Sequence, residues 1–232
     1  MSEPIAYGVP WREVVGLWRH IVNGTETSVD DFTMRVARRI EPAPRVTGSL
    51  PEDPRFVLAA NHYQRKGLWI LHTATVLTRA IRERYGEEDP PVRWMATANW
   101  PPFRVGAWTI PSPGDWLLPR VAHALACYPV SFAGTNPTFT ARSLRRILRD
   151  ARTISRPIGI FPGGAAGVAG EVGAALPGVG RLLRQLGLPV VPAGVSEDGR
   201  FVVRFGTVIA VHEIASAADA GDLVMSRIRQ LV

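Results

Sequence analysis

Apolar positions along this chain change period several times, and each change marks an element. Between Trp11 and Val22 the residues Trp11, Val14, Val15, Trp18, Ile21 and Val22 recur at three- and four-residue steps, the spacing of one helical stripe. Ser28-Val29-Asp30-Asp31 offers a helix start, with Ser28 as N-cap and Asp31 at the third helical position. That helix is expected to end near Arg39, before Pro42 and Pro44 break the chain. From Phe56 onward short apolar runs alternate with helical patterns. The runs Phe56–Ala60, Val92–Ala96, Tyr128–Phe132, Ile158–Phe161 and Val190–Val195 read as buried strands. Leu68–Tyr85, Asp115–Ala126, a segment capped by Asn136 and ending near Thr153, Val179–Leu186 and Asp219–Val232 read as helices. Phe201–Phe205 and Thr207–Val211 suggest a closing hairpin around Gly206.

Strands alternating with helices predict an α/β fold: a mixed, mostly parallel sheet flanked by helices. The expected division is an N-terminal helical segment, residues 1–44, and one α/β domain, residues 45–232. A chain of 232 residues buries a sizeable core without covalent staples, and its single cysteine, Cys127, excludes an intrachain disulfide framework. The start, Met1-Ser2-Glu3-Pro4, carries an early acid and no apolar run, so no signal peptide is expected. No stretch is apolar for long enough to span a bilayer. These features point to a cytoplasmic chain.

The formal charge is +7, and Lys66 is the one lysine among 27 basic residues. A basic surface favours anionic partners: lipid headgroups, coenzyme A phosphates, acidic carrier proteins or nucleic acid. Arg142, Arg145, Arg146, Arg149, Arg152 and Arg156 follow helical spacing opposite an apolar stripe. They suit either an anionic membrane or coenzyme A, or a solvated face. Trp100, Phe103, Trp108 and Trp116 fall in a Pro-rich connection that reads as an interfacial lip, an acyl channel or a packed loop. The Trp11–Val22 stripe is likewise either interfacial or packed on the domain. No nucleic-acid motif is present, and no metal-ligand spacing is found: His20, His72, His123 and His212 read as structural residues, and Cys127 as a small buried hydrophobe.

Two strand ends carry candidate chemistry. The run Ala59-Ala60 ends at Asn61-His62, followed by Tyr63-Gln64-Arg65-Lys66-Gly67. A histidine at a strand end projects into the crevice where α/β folds place ligands, with a pKa suited to proton transfer. It reads equally as a residue satisfying local backbone. The second strand, Gly159-Ile160-Phe161, runs into Pro162-Gly163-Gly164. Such a turn either presents backbone N–H groups to an anion or is simply a turn.

Taken in order, these blocks resemble the PlsC-like glycerolipid acyltransferase family, of 1-acylglycerol-3-phosphate type. Asn61-His62 is similar to its N-H-x4-D block, Ile160-Phe161-Pro162-Gly163-Gly164 to its F-P-E-G block, and Leu188–Val195 to its later apolar strand with an internal proline. The resemblance implies that His62 acts as general base, taking a proton from an acceptor hydroxyl as it attacks an acyl thioester, with no cofactor beyond that donor. Acyl-CoA or acyl carrier protein would be the donor, and a glycerolipid the acceptor. Asn61, Arg65, Lys66, Phe161, Pro162, Gly163 and Gly164 would line the substrate, with the Gly163 and Gly164 N–H groups near the developing oxyanion, and the chain would sit peripherally on the inner membrane face. Two family acids are absent: Gly67 stands at the aspartate position and Gly163 at the glutamate position. Glu171, just past the Gly-rich turn, is the expected substitute partner for His62, with Asp115 second. The alternative is a catalytically impaired lipid- or acyl-binding protein on the same fold.

Overall fold

Four consecutive residues, Val57–Ala60, expose no surface at all, so the strand they form lies at the centre of the sheet. The computed structural model describes residues 7–98, 103–105, 108–110, 114–131, 137–164 and 172–232, with backbone alone for 103–105, 108–110 and 137–140. In chain order the elements are α1 (Trp11–Asn23), α2 (Val29–Ala37), β1 (Arg45–Thr47), β2 (Val57–Ala60), α3 (His72–Tyr85), β3 (Arg93–Thr97), β4 (Phe103–Val105), β5 (Trp108–Ile110), α4 (Gly114–Ala124), β6 (Tyr128–Val130), α5 (Pro137–Asp150), β7 (Ile158–Ile160), α6 (Val179–Leu186), β8 (Val190–Glu197), β9 (Phe201–Phe205), α7 (Val211–Ser216) and α8 (Ala220–Arg229).

The main sheet has seven strands in the order β1-β9-β8-β2-β7-β3-β6. β8, β2, β7, β3 and β6 run parallel, while β9 returns antiparallel to β8 and carries β1 beside it. The expected α/β class and mixed, mostly parallel sheet are therefore observed. One core lies between the sheet and α3, around Leu58, Ala60, Leu77, Ile81 and Phe201. The other lies on the opposite face under α5, α6 and α8, around Val57, Ala59, Ile147, Leu183 and Val224. Leu58 and Ala60 point one way and Val57 and Ala59 the other, as the two-residue period of a strand requires. A third cluster joins α1, α2 and α4 through Leu17, Ile21, Phe32, Val36 and Ala124. No described helix is long and apolar enough to cross a membrane.

Three boundaries depart from the sequence pattern. Leu68–Leu71 is not helical, and α3 starts at His72. Gly67 adopts φ +87°, and Gln64 Nε2 donates to the Leu68 carbonyl, so the chain closes a loop before the helix opens. The closing hairpin is β8 with β9, turning at Gly199, rather than Phe201–Phe205 with Thr207–Val211. Ile209 makes only an isolated bridge to Val190, and Val211 begins α7, where Glu213 accepts from the Ala210 N–H. The short β1 and the β4–β5 pair carry too little pattern to be anticipated. Asn136 lies outside the described residues.

Candidate functional site

Five parallel strands bring their C-terminal ends to one edge of the sheet. β2 is central, with β7 on one side and β8 on the other, so the segments after these three strands meet by topology alone. Asn61 and His62 follow β2, Phe161–Gly164 follows β7, and Glu197 ends β8. Open α/β sheets place ligands at this edge.

Asn61 extends the sheet by one residue. Its Nδ2 donates to the Val195 carbonyl at 2.8 Å, and its Oδ1 accepts from the Val195 N–H at 2.7 Å. The side-chain amide thus copies a peptide group beyond the last backbone pairing of β2 with β8, Ala60 with Ala193. Both ends of the amide are engaged in holding the loop, and the residue is buried.

His62 comes next, half-buried. Its ring meets Phe161 edge to face, with centroids 4.7 Å apart and planes at 63°. Phe161 stacks on Trp94, again at 4.7 Å but nearly parallel at 8°. Trp94 is fixed from behind by its Nε1–H, which donates to Thr78 Oγ1 at 2.9 Å. Gly159 pairs with Trp94 across β7 and β3, and a Cβ there would lie 2.4 Å from the indole. The missing side chain at Gly159 is therefore what lets Trp94 support Phe161.

Burial lowers the pKa of His62 below the usual histidine value, with only its own backbone acting in the other direction. The ring is neutral near pH 7, the form a general base needs. Nδ1 is buried and has no hydrogen-bond partner among the described residues. In a histidine base this nitrogen ordinarily donates to a group that fixes the tautomer. No described carboxylate contributes to the His62 shift. Glu171 lies outside the described residues, and Asp115 is exposed in the first turn of α4.

The remaining residues of the loop latch it down. Arg65 grips the Glu197 carboxylate with Nε and Nη2, and its Nη1 donates to the Lys66 carbonyl at 2.9 Å. Tyr63 Oη donates to the same Glu197 carboxylate at 3.3 Å, and Thr73 Oγ1 donates to the Tyr63 carbonyl at 2.6 Å. The Arg65 and Glu197 side chains are 12% and 9% exposed, so water screens the pair little. Glu197 holds the Arg65 guanidinium charged, and burial beside that carboxylate pushes the Tyr63 phenol up. Lys66 is exposed.

On the β7 side, Pro162 is buried and Gly163 and Gly164 are half-buried. The Gly164 N–H closes the turn onto the Phe161 carbonyl at 2.9 Å, so it is not directed at a ligand as expected of it. Gly164 has φ +73°, and a side chain there would strike Leu176 at 2.6 Å. At Gly163 a Cβ would meet ordinary contacts, with Met225 Cε at 3.4 Å.

Among the expected site residues the fold brings His62 and Phe161 into ring contact. It turns Asn61 and Arg65 toward β8. Glu197, Tyr63 and Trp94 belong to the site although the sequence pattern did not mark them. The available signals were a single acid ending an apolar strand and a tryptophan in register with a strand glycine. No group of three histidine, cysteine or acidic residues able to hold a metal occurs among the described residues.

No family model matches the sequence, and no curated protein matches it. Among solved structures, the 1-acyl-sn-glycerophosphate (LPA) acyltransferase PlsC from Thermotoga maritima is similar, with a TM-score of 0.54 and 14% identity, over 95% of this chain and 83% of that one. At that identity the likeness establishes architecture, and the α/β fold described above is the one this acyltransferase shares.

Proposed function

We propose that this chain is an acyltransferase that moves a fatty acyl group from acyl-CoA or acyl carrier protein to a hydroxyl of a glycerolipid or related acceptor, with His62 as general base. The observation that carries this reading is a neutral, half-buried histidine at the C-terminal edge of a central parallel strand, in a fold shared with a lipid acyltransferase. In the reaction His62 takes the acceptor proton as the hydroxyl oxygen attacks the thioester carbonyl. The C–S bond then breaks, and the thiolate leaves with the proton returned from the imidazolium. Lys66 and the Gly163 N–H are the polar groups assigned to the substrate, while Asn61 and Arg65 hold the loop that carries the base. Phe161 forms the wall beside the ring.

A second reading, a lipid- or acyl-binding protein with impaired catalysis, is favoured by an Nδ1 that has no partner among the described residues and by glycine at positions 67 and 163. In serine proteases, neutralising the carboxylate behind the catalytic histidine costs about 10⁴ in rate, roughly 5 kcal/mol. Purified protein incubated with acyl-CoA or acyl carrier protein donors and a panel of lyso-lipid acceptors decides between the two. Turnover that is lost in His62→Ala supports the acyltransferase. Equal, background-level donor consumption by both proteins removes it and leaves the binding role.

A further inference from the structure

The ring beside His62 continues into the core as a column that ends on helix α3, and strand register builds it. Gly159 of β7 pairs with Trp94 of β3. Phe161 lies two residues beyond Gly159 and so on the same side of the sheet, where it packs in one core with Trp94. The indole occupies the space that a side chain at Gly159 would take, since a Cβ there would collide with its ring carbons. From that slot it stacks on Phe161, which in turn meets His62 edge to face.

The two ends of the column are fixed differently. Trp94 is held at its one polar atom, where Nε1–H donates to Thr78 Oγ1 at 2.9 Å. Both residues are buried, Trp94 8% and Thr78 2% exposed. Turning the indole away would leave that N–H buried without an acceptor, so the bond fixes its rotation. The rings of Trp94 and Phe161 are nearly parallel at 8°, so the plane of the first sets the plane of the second. His62 has no such polar tether: its Nδ1 is buried and has no partner among the described residues. The terminal torsion of a histidine side chain is broad, with little preference of its own. Its orientation is left to the groups that touch the ring, and the aromatic ring it meets among the described residues is Phe161.

We propose that Trp94 is a positioning residue for His62, acting through Phe161: a column of rings anchored on Thr78 holds the imidazole at the strand end in the orientation that proton transfer requires. The proposal rests on the reading of His62 as general base. Trp94 is buried behind Phe161 and acts on the base rather than on the substrate. Gly159 belongs to the same device, because any side chain there would drive the indole off Phe161.

The test joins kinetics to a titration that needs no turnover. Rates are measured for the full chain with acyl-CoA and the lyso-lipid acceptors. The His62 imidazole is followed by NMR, its signal identified by its loss in His62→Ala. Trp94→Leu is expected to lower kcat by about tenfold or more and to leave KM within about twofold, as a misplaced base does. The same variant is expected to raise the His62 pKa toward the ordinary histidine value, because burial is what lowers it and no described charged group adds to the shift. Trp94→Phe, which keeps a ring to stack on Phe161, is expected to recover most of the rate and of the titration. If Trp94→Leu does not fold, Thr78→Val carries the same test: it removes the acceptor of the indole N–H and is expected to lower kcat by about threefold. A folded Trp94→Leu or Thr78→Val with the parental kcat and titration overturns the proposal. So does a Trp94→Phe as impaired as Trp94→Leu, which would make Trp94 core packing alone. If the parent turns over no faster than His62→Ala, the acyltransferase reading falls separately, and the titration alone decides whether Trp94 sets the ring.

Discussion

Asn61 shows how much a single side chain contributes at a strand end. Removing it leaves the buried Val195 N–H and carbonyl without the partners they now have, and each unsatisfied buried group costs about 1–3 kcal/mol. Asn61→Ala is therefore expected to lower stability by about 2–4 kcal/mol in urea titrations. A loss below about 0.5 kcal/mol would mean that the amide does not carry the loop. The residue scale was also where the sequence was least complete. Asn61-His62 and the Phe161–Gly164 turn were legible because strand ends followed by polar or glycine residues are local patterns. Glu197, 132 residues from Arg65, was not, because no local pattern tells an acid at a strand end which cation it will meet. The same holds for Trp94, whose support of Phe161 depends on the register that sets it opposite Gly159.

At the scale of elements, α2 carries two caps, and local sequence announces one of them. Ser28 Oγ accepts from the Asp31 N–H at 3.2 Å, as the Ser-x-x-Asp spacing predicts. The preceding two N–H groups, of Val29 and Asp30, point at Asp89 Oδ1, at 2.8 and 3.2 Å, from 60 and 59 residues away. Ser28→Ala is expected to cost about 1 kcal/mol. Asp89→Ala is expected to cost more, about 2 kcal/mol, because it orphans two helix N–H groups and removes a charge from the positive end of the helix. Chemical denaturation of the two variants measures both losses, and an Asp89→Ala loss no larger than that of Ser28→Ala would show that the distant cap is dispensable. The boundary of α3 follows the same logic: apolar residues from Leu68 onward match a helix, yet the His72 ring accepts the Trp69 N–H at 3.2 Å and the helix begins only there.

For the molecule as a whole, two histidines buried neutral set the response to acid. Burial holds His72, 2% exposed, at about 4, and lowers His62 as well. Both folded values lie below the unfolded value of about 6.5, so the unfolded chain binds the protons more tightly. Their contribution to stability is complete above about pH 6.5 and is lost as pH falls through the folded values; for His72 the loss runs toward about 4, by roughly 1.4 kcal/mol per unit. For His72 the total reaches about 3 kcal/mol. Urea midpoints are expected to fall across this window, and His72→Gln is expected to flatten the decline. An identical acid slope in the parent and His72→Gln would refute the assignment.

What the sequence by itself determined is most of the longer elements, because the 3.6- and two-residue periods are properties of the local backbone. It also set the order of the strand-end blocks, and with it the expectation of a mostly parallel α/β sheet. Tertiary structure decided which faces are covered. It paired β8 with β9 instead of closing a hairpin at Gly206, and it set the His62 ring against Phe161, leaving Nδ1 without a described acceptor. It also buried Leu17 and Ile21 while leaving Trp11 and Trp18 in solvent. The periodicity of α1 puts Trp11, Trp18 and Ile21 on one apolar stripe and leaves Leu17 off it. Only the arrival of α2 and α4 on one side distinguishes them, because burial is set by contacts between segments far apart in the chain.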